Sequence, residues 1–376
     1  MPQKFYQQFR TWIEISKANI KHNLGVFKKL VSPKVKIMAV VKSNAYGHEL
    51  LGFSKTVTGF GADWLGVDSI TEALALRKAG IKEPILVLGY TLPAHFGAAA
   101  ENNVSLTISN FENLQIIPRC HKRIQIHIKV DTGMHRQGFA ISDLAKVCAL
   151  IKKSKSLNFQ GLYTHFASAK KPDFHQDTEK QIWEFKKASV LVRALGFKPI
   201  VHATATAGTL NYPKSHFDMV RIGIGLYGLW TSEETRKALS KTITLKPALT
   251  WKTLVAELKW VEKGEKVGYD FTETLKQKSL LAVLPVGYWH GLWRAFSGKA
   301  HMLIKGKRCK IIGRVSMDMV VVDVTKAGNV KVGDEVALLG KQGKEEVTAD
   351  ELAKIAGTTN YEIVTRLNPL IKKIYY

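Results

Sequence analysis

The sequence predicts a (β/α)8 barrel, of the TIM type, followed by a C-terminal, mostly-β domain. Three observations carry that expectation. Eight short apolar segments alternate with helix-patterned stretches across about 240 residues, the size typical of such a barrel. Past Leu245 the texture changes to short strands separated by Gly-rich turns. A lysine, Lys42, ends the first of the eight strands, where barrels of this kind place their chemistry. The expected division is a barrel over 1–243 and a β domain over 244–376, with the join near Glu233 to Leu245.

The elements follow in order. Thr11 to Leu24 opens as a short alternating segment, and Ser16 is placed to cap a helix bearing Ile20, Leu24 and Phe27 on one face. The first barrel strand is the β-branched apolar run Val35 to Val41. A helical stretch through Leu51 and Val57 leads to Asp63–Asp68. A helix from Ser69 to Ala79 ends at Gly80, a suitable residue just past a helix end. Strands are expected at Pro84–Gly89, Val104–Ser109, Ile124–Asp131, Phe159–Phe166, Pro199–Thr206 and Phe217–Gly225. Helices over Ala94–Asn103, Ser142–Lys152 and Asp177–Leu195 lie between them.

In the C-terminal part, Pro247 to Trp260 alternates and KGEKVGYD reads as a turn. LLAVLPVGY, HMLIKG, CKIIGRVSMDMVVVDVT and GDEVALLG read as short strands. A short helix capped by Thr348 precedes the tail Arg366 to Tyr376.

Bulk composition narrows the classes. With 45% hydrophobic and 23% charged residues the chain is an ordinary globular one, and no apolar run approaches the roughly 20 residues of a membrane span. The start, MPQKFYQQFRTW, lacks a signal-peptide core. Cys120, Cys148 and Cys309 are odd in number and widely spaced, suggesting neither a disulfide framework nor a metal site. The cytoplasm is the simplest compartment. Fifty-six Lys and Arg against 31 acids give a net charge of +25. The basic residues are dispersed in pairs such as Lys28-Lys29 and Lys186-Lys187, which describes a solvated lysine-rich surface rather than a nucleic-acid interface.

Two features carry chemistry. A lysine at the mouth of a buried strand loses hydration, which lowers its pKa and frees an amine for covalent carbonyl chemistry; in isolation it would be a solvated strand cap. The ends of strands 7 and 8 supply Thr204, Thr206 and Gly208, then Arg221, Gly223, Ile224 and Gly225. Small residues let backbone N–H groups approach a phosphate, and barrels often bind phosphate there.

These stretches resemble the alanine racemase family. VVKSNAYGH, ending at His48, is similar to that family's VVKANAYGHG. VDTGMHRQGF (130–139), YTHF (163–166), HATATAGTLNYP (202–213), MVRIGIGLYG (219–228), EKVGYDFT, PVGYWHG and GRVSMDM follow in the family's order, so the resemblance spans nearly the whole chain. It departs at Ala205 and Thr206, where the family has asparagine and serine, and at His290, where it has aspartate.

The resemblance implies a pyridoxal 5'-phosphate (PLP) enzyme interconverting L- and D-alanine by two bases, supplying D-alanine for peptidoglycan, as a homodimer with shared sites. It implies Lys42 as PLP carrier and one base, and Tyr269 of the other subunit as the second. Tyr46, Thr206, Gly223 and Ile224 would hold the phosphate, and Arg221 the pyridine nitrogen. His165 would link Tyr269 to Arg221. Arg136 and the Met317 N–H would hold the substrate carboxylate. Asp318 would order the Met317 loop, Lys129 would support Arg136, in many relatives as its carboxylated form, and Tyr288 and Arg294 would line the entry. No metal is implied. Each of these residues taken singly has a bland reading, as a core histidine, a turn tyrosine or a surface ion pair; the ordered set does not. The alternatives are a racemase of broader or different specificity such as serine, a barrel-type PLP decarboxylase, a PLP carrier, and a nucleic-acid binder.

Overall fold

Residues 8–117 and 121–376 are described in a computed structural model of the chain; Cys120 and the first seven residues of MPQKFYQQFRTW lie outside them. Strand β1 spans Thr11–Ile15, and the run around Val35–Val41 forms β2, Lys36–Val40. Seven further strands follow: β3 Trp64–Val67, β4 Ile85–Val87, β5 Val104–Ile108, β6 Ile124–Lys129, β7 Leu157–Tyr163, β8 Ile200–His202 and β9 Met219–Ile222. Strands β2 to β9 are the eight expected ones, and they close a parallel barrel in chain order, with β9 returning to β2 through the pair Met38 and Arg221. β3, β4, β5 and β9 are buried at every residue, as parallel strands covered on both faces must be. Met38, Trp64, Leu86 and Met219 form one cluster of this core. Fully burying such a side chain contributes about 1.5–3 kcal/mol.

The helices mostly follow expectation. Helix Ile70–Lys78 is capped by Ser69, whose hydroxyl accepts the Glu72 N–H. The helix expected over Ala94–Asn103 is shorter, Phe96–Glu101, because a tighter turn at Pro93–His95 precedes it, with Pro93 fixing φ at its start. By contacts, Asn19–Ala45 and Leu50–Lys246 form one unit around the barrel.

The other unit holds Pro247–Tyr376, the N-terminal segment up to Ala18, and Tyr46–Glu49. Its strands are β10 Leu249–Leu254, β11 Glu257–Val261, β12 Lys266–Val267, β13 Glu273–Thr274, β14 Ser279–Leu284, β15 His301–Ile304, β16 Lys307–Ile312, β17 Val320–Asp323, β18 Glu335–Gln342, β19 Glu345–Val347 and β20 Lys372–Tyr375. The main sheet runs β11-β14-β17-β16-β15-β18-β10-β1-β20, with β19 on β18.

Three local readings are corrected. KGEKVGYD is not only a turn: it contains β12, which pairs with β13 as a two-stranded ribbon. CKIIGRVSMDMVVVDVT is two strands, β16 and β17, separated by the loop that follows Gly313 (φ +68). The tail carries a second helix, Asn360–Thr365, and then β20. The Thr348 cap stands as expected, its hydroxyl accepting the Glu351 N–H.

Candidate active site at the C-terminal end of the barrel

β2 ends at Val40, and Lys42 opens a turn of unusual hand. Ser43, Asn44, Ala45 and Tyr46 all have φ between 51° and 56°, and none is glycine. A left-handed residue costs roughly 1–2 kcal/mol without glycine, so the surroundings must enforce it. They do. The Ala45 N–H donates to Val41 O, and Asn44 Oδ1 accepts the Leu50 N–H at 2.9 Å. Glu72 Oε1 accepts the Asn44 N–H at 3.2 Å, while its Oε2 accepts the Asp68 N–H at 2.8 Å. Lys42 Nζ then meets Asp68 Oδ1 at 3.0 Å.

The neighbouring strand, β9, supplies Arg221, which is 2% exposed. Its Nη1 donates to His202 Nδ1 at 2.8 Å. Its Nη2 reaches Thr164 O at 2.8 Å, Ala203 O at 2.7 Å and His165 Nδ1 at 3.2 Å. No carboxylate pairs with it among the described residues, and its Nε–H makes no protein hydrogen bond there. Burial lowers its pKa to about 10, which still leaves it charged at neutral pH. Since a guanidinium only donates, the His165 nitrogen facing it carries no proton, and the His165 proton lies on Nε2.

Lys129, at the end of β6, is buried and donates to Gln137 Oε1 at 3.0 Å. Burial, then Arg136 and Arg221, lower its pKa to about 8. Burial and the charges of Arg221, Arg136, Lys129 and Lys42 lower that of His165 to about 3. Four cations therefore converge on one neutral imidazole. In the loop after β6, burial would raise the Asp131 pKa, but N–H bonds from Gly133, His135 and Met134 outweigh it and hold it below the usual carboxylate value. That carboxylate is engaged by its own loop. Arg136, exposed in the same loop, has no ion pair among the described residues.

After β8, Thr206 is buried, and its Oγ1 accepts N–H groups of Gly223 at 3.1 Å and Gly225 at 3.4 Å. Its own hydroxyl proton remains to donate. Ile224 opens the turn Ile224–Tyr227, and the Tyr227 hydroxyl ties that turn to Val40 O at 2.9 Å. Ala205, at the start of helix Thr206–Asn211, supplies no side-chain cap.

The remaining expected residues belong to the other unit. Tyr46, four residues after Lys42, has its ring 6.2 Å from that of Tyr361. Tyr269 follows Gly268 in a turn and is 70% exposed, with Arg314 ion-paired to the adjacent Asp270. Two loops lie together: the Tyr288 and Trp289 N–H groups donate to Ser316 O and Met317 O, each at 3.0 Å. Met317 and Asp318 are exposed at the tip of one loop, and Tyr288 and Arg294 are exposed on the other. His290 is buried, and its Nδ1 accepts the Gly287 N–H at 3.2 Å; a neutral imidazole thus braces this loop where a carboxylate was expected.

Sequence reasoning gave no role to Asp68, Glu72, His127 or His202. Asp68 ends its strand as Lys42 ends β2, which was the available signal. His127 and His202 alternate with apolar neighbours on strands expected to be core.

The donor set fits PLP. A buried guanidinium has no acid and an N–H to spare, a buried hydroxyl sits among glycines, and neither Arg221 nor Arg136 has an ion pair among the described residues.

Family models describe the two parts of the chain: the alanine racemase N-terminal domain matches residues 15–230, and the alanine racemase C-terminal domain matches 248–375. An alanine racemase of Symbiobacterium thermophilum is 37% identical over 370 residues, covering 97% of both chains. The solved alanine racemase of Bacillus anthracis, with bound L-Ala-P, superposes with a TM-score of 0.92 at 36% identity, covering 98% of this chain and 95% of that one. A histidine racemase of Leuconostoc mesenteroides superposes with a TM-score of 0.89 at 31% identity, covering 98% of each.

Proposed function

The chain belongs to the alanine racemase family, and we propose that it is a PLP-dependent enzyme interconverting L-alanine and D-alanine. The observation that carries the reading is Arg221, a buried cation without an acid, whose charge acts together with that of Lys42 on His165. When bound, PLP supplies an electron sink that makes the Cα proton of an amino acid removable.

Lys42 would hold the cofactor through its amine, and the same amine would move the Cα proton on one face. Tyr269 moves it on the other, reaching the site from a second copy of the chain. His165 keeps its proton on Nε2, from which it donates to the phenolic oxygen of Tyr269 and stabilises the deprotonated form. A phenol ordinarily holds its proton to a pKa near 10, so it needs such a donor. Arg221 would present an N–H to the pyridine nitrogen of PLP; because a guanidinium does not readily surrender a proton as a carboxylic acid would, it would leave that nitrogen largely neutral and the electron sink weak. Tyr46, Thr206, Gly223 and Ile224 would hold the phosphate. Arg136 grips the substrate carboxylate with its planar fork, and the Met317 N–H supplies a further donor. Asp318 orders the Met317 loop, and Tyr288 and Arg294 line the entry. A lysine losing its proton near pH 8 is nucleophilic enough to add carbon dioxide, and a carboxylated Lys129 would set Arg136 in place.

A homodimer is supported by the face that carries Tyr269, Phe271, Tyr288, Trp289, Met317 and Met319, all exposed aromatic or thioether side chains on one unit. A cytoplasmic enzyme feeding peptidoglycan synthesis fits the composition, and no helix among the described residues is long and apolar enough to cross a membrane. Visible absorbance before and after borohydride, with peptide mapping of the adduct to Lys42, tests the cofactor; conversion of L-alanine to D-alanine tests the reaction. The likeness to a histidine racemase favours a second reading, an amino-acid racemase of other specificity, which turnover of serine and histidine beside alanine distinguishes.

A further inference from the structure

We propose that His127 is a positioning residue: it accepts the proton that Arg221 leaves on His202 Nε2, holds that ring in place, and so sets the guanidinium. The functional half of this rests on the racemase reading above. His127 Nδ1 lies 2.9 Å from His202 Nε2, and His202 Nδ1 lies 2.8 Å from Arg221 Nη1. A guanidinium has donors only, so His202 Nδ1 is bare, the ring is neutral, and its single proton sits on Nε2. That proton is donated to His127 Nδ1, which leaves the His127 proton on Nε2. Geometry assigns both tautomers. Burial, which lowers both imidazole pKa values, agrees with it.

The fold is built to seat this ring. The pairing of β6 with β7 slips between Ile126 and His127: Ile126 is opposite Phe159, yet His127 is opposite Gly161. A bulge of this kind re-aims a side chain. A Cβ on Gly161 would lie 2.1 Å from His127 Nδ1, so a glycine is required there. Trp64 packs its ring edge-on at 5.4 Å, and Tyr163 stacks on His202 at 4.8 Å with the planes 3° apart. Without His127, the Nε2–H of His202 loses its acceptor, and the ring that receives Arg221 Nη1 loses the bond that holds it in place.

Nitrogen NMR of the imidazoles tests this in the full chain with PLP added and no substrate. The wild-type protein should show His202 and His127 both as neutral Nε2–H tautomers. His127→Leu should shift the His202 Nε2–H signal from that of a hydrogen-bonded to that of an unbonded N–H and racemise alanine about tenfold more slowly. His127→Asn, whose Oδ1 stands close to the lost Nδ1, should restore the bonded signal and bring the rate to within about threefold. A wild-type His202 that is Nδ1–H or doubly protonated overturns the inference, whether or not the leucine variant folds. An unchanged His202 Nε2–H signal in His127→Leu overturns it too. If the tautomers are as assigned but the wild-type chain racemises no amino acid, the proposed function fails, and the hydrogen-bond assignment stands without its catalytic consequence.

Discussion

Glu72 and Asn44 are joined by a hydrogen bond from the Asn44 N–H to Oε1, while the other oxygen of the same carboxylate holds the backbone of Asp68. One side chain therefore sets both the turn that carries Lys42 and the carboxylate that Lys42 meets. Glu72→Ala should release the left-handed turn and slow PLP uptake about tenfold. Asp68→Ala removes only a half-exposed ion pair, worth about 0.2–1 kcal/mol, and should shift the melting temperature little. Stopped-flow absorbance on PLP addition separates the two; equal effects would remove Glu72 from this role.

Arg221 is the least replaceable cation. Arg221→Lys keeps the charge but loses the fork that serves His202, Thr164 O, Ala203 O and His165 together. Stranding those buried acceptors should cost about 2–3 kcal/mol in urea unfolding and at least about tenfold in kcat. A lysine variant of wild-type stability and rate would show that the network is ornamental.

Tyr269 makes the opposite prediction for stability. Its exposure means that Tyr269→Phe should change unfolding free energy by less than about 0.5 kcal/mol. PLP should remain bound, and Cα proton exchange with solvent should persist from one alanine enantiomer and vanish from the other. Full racemisation by this variant would sink the two-base reading.

Acid should unfold the protein through its buried imidazoles. Burial holds His127 and His165 down at about 3, against an ordinary value of 6.5 in the unfolded chain. Between those values the unfolded state binds protons that the folded state refuses. Stability is therefore complete above about pH 6.5 and falls as pH drops through the window, by about 1.4 kcal/mol per pH unit for each histidine. Urea midpoints measured from about pH 7 to about pH 4 check the slope, which should shrink in His127→Asn.

Gly47 is fixed by two constraints. Its φ is +82°, and a Cβ there would lie 2.0 Å from Val364 O. Gly47→Ala should destabilise the protein by more than about 2 kcal/mol, read by thermal unfolding.

The eight barrel strands were legible because parallel strands buried on both faces read as continuous apolar runs. Lys42, Thr206 and Arg221 were legible as strand-end residues. The turn at Ser43–Tyr46 was not: it uses left-handed backbone without glycine, and the only sign would have been the distant Glu72 that enforces it. His127 and His202 look in sequence like polar interruptions of core strands, because their partners lie on other strands. β1 was readable as a strand from TWIEI, but alternation does not say which sheet receives it.

That strand has a consequence for how the chain is made. β1 lies between β10, its antiparallel neighbour, and β20, its parallel one, and the Thr11 side chain bonds to a carbonyl 241 residues away. On the ribosome, β1 emerges before the barrel and waits with both edges unpaired while the barrel residues are synthesised. Its second neighbour arrives only with residues 372–375. Such non-local pairing is slow, and unpaired edges invite misassociation, so completion of this sheet is a natural rate-limiting event in biosynthesis. Ribosome-stalled chains ending before Lys372 should leave β1 open to protease, and chains that include β20 should close it.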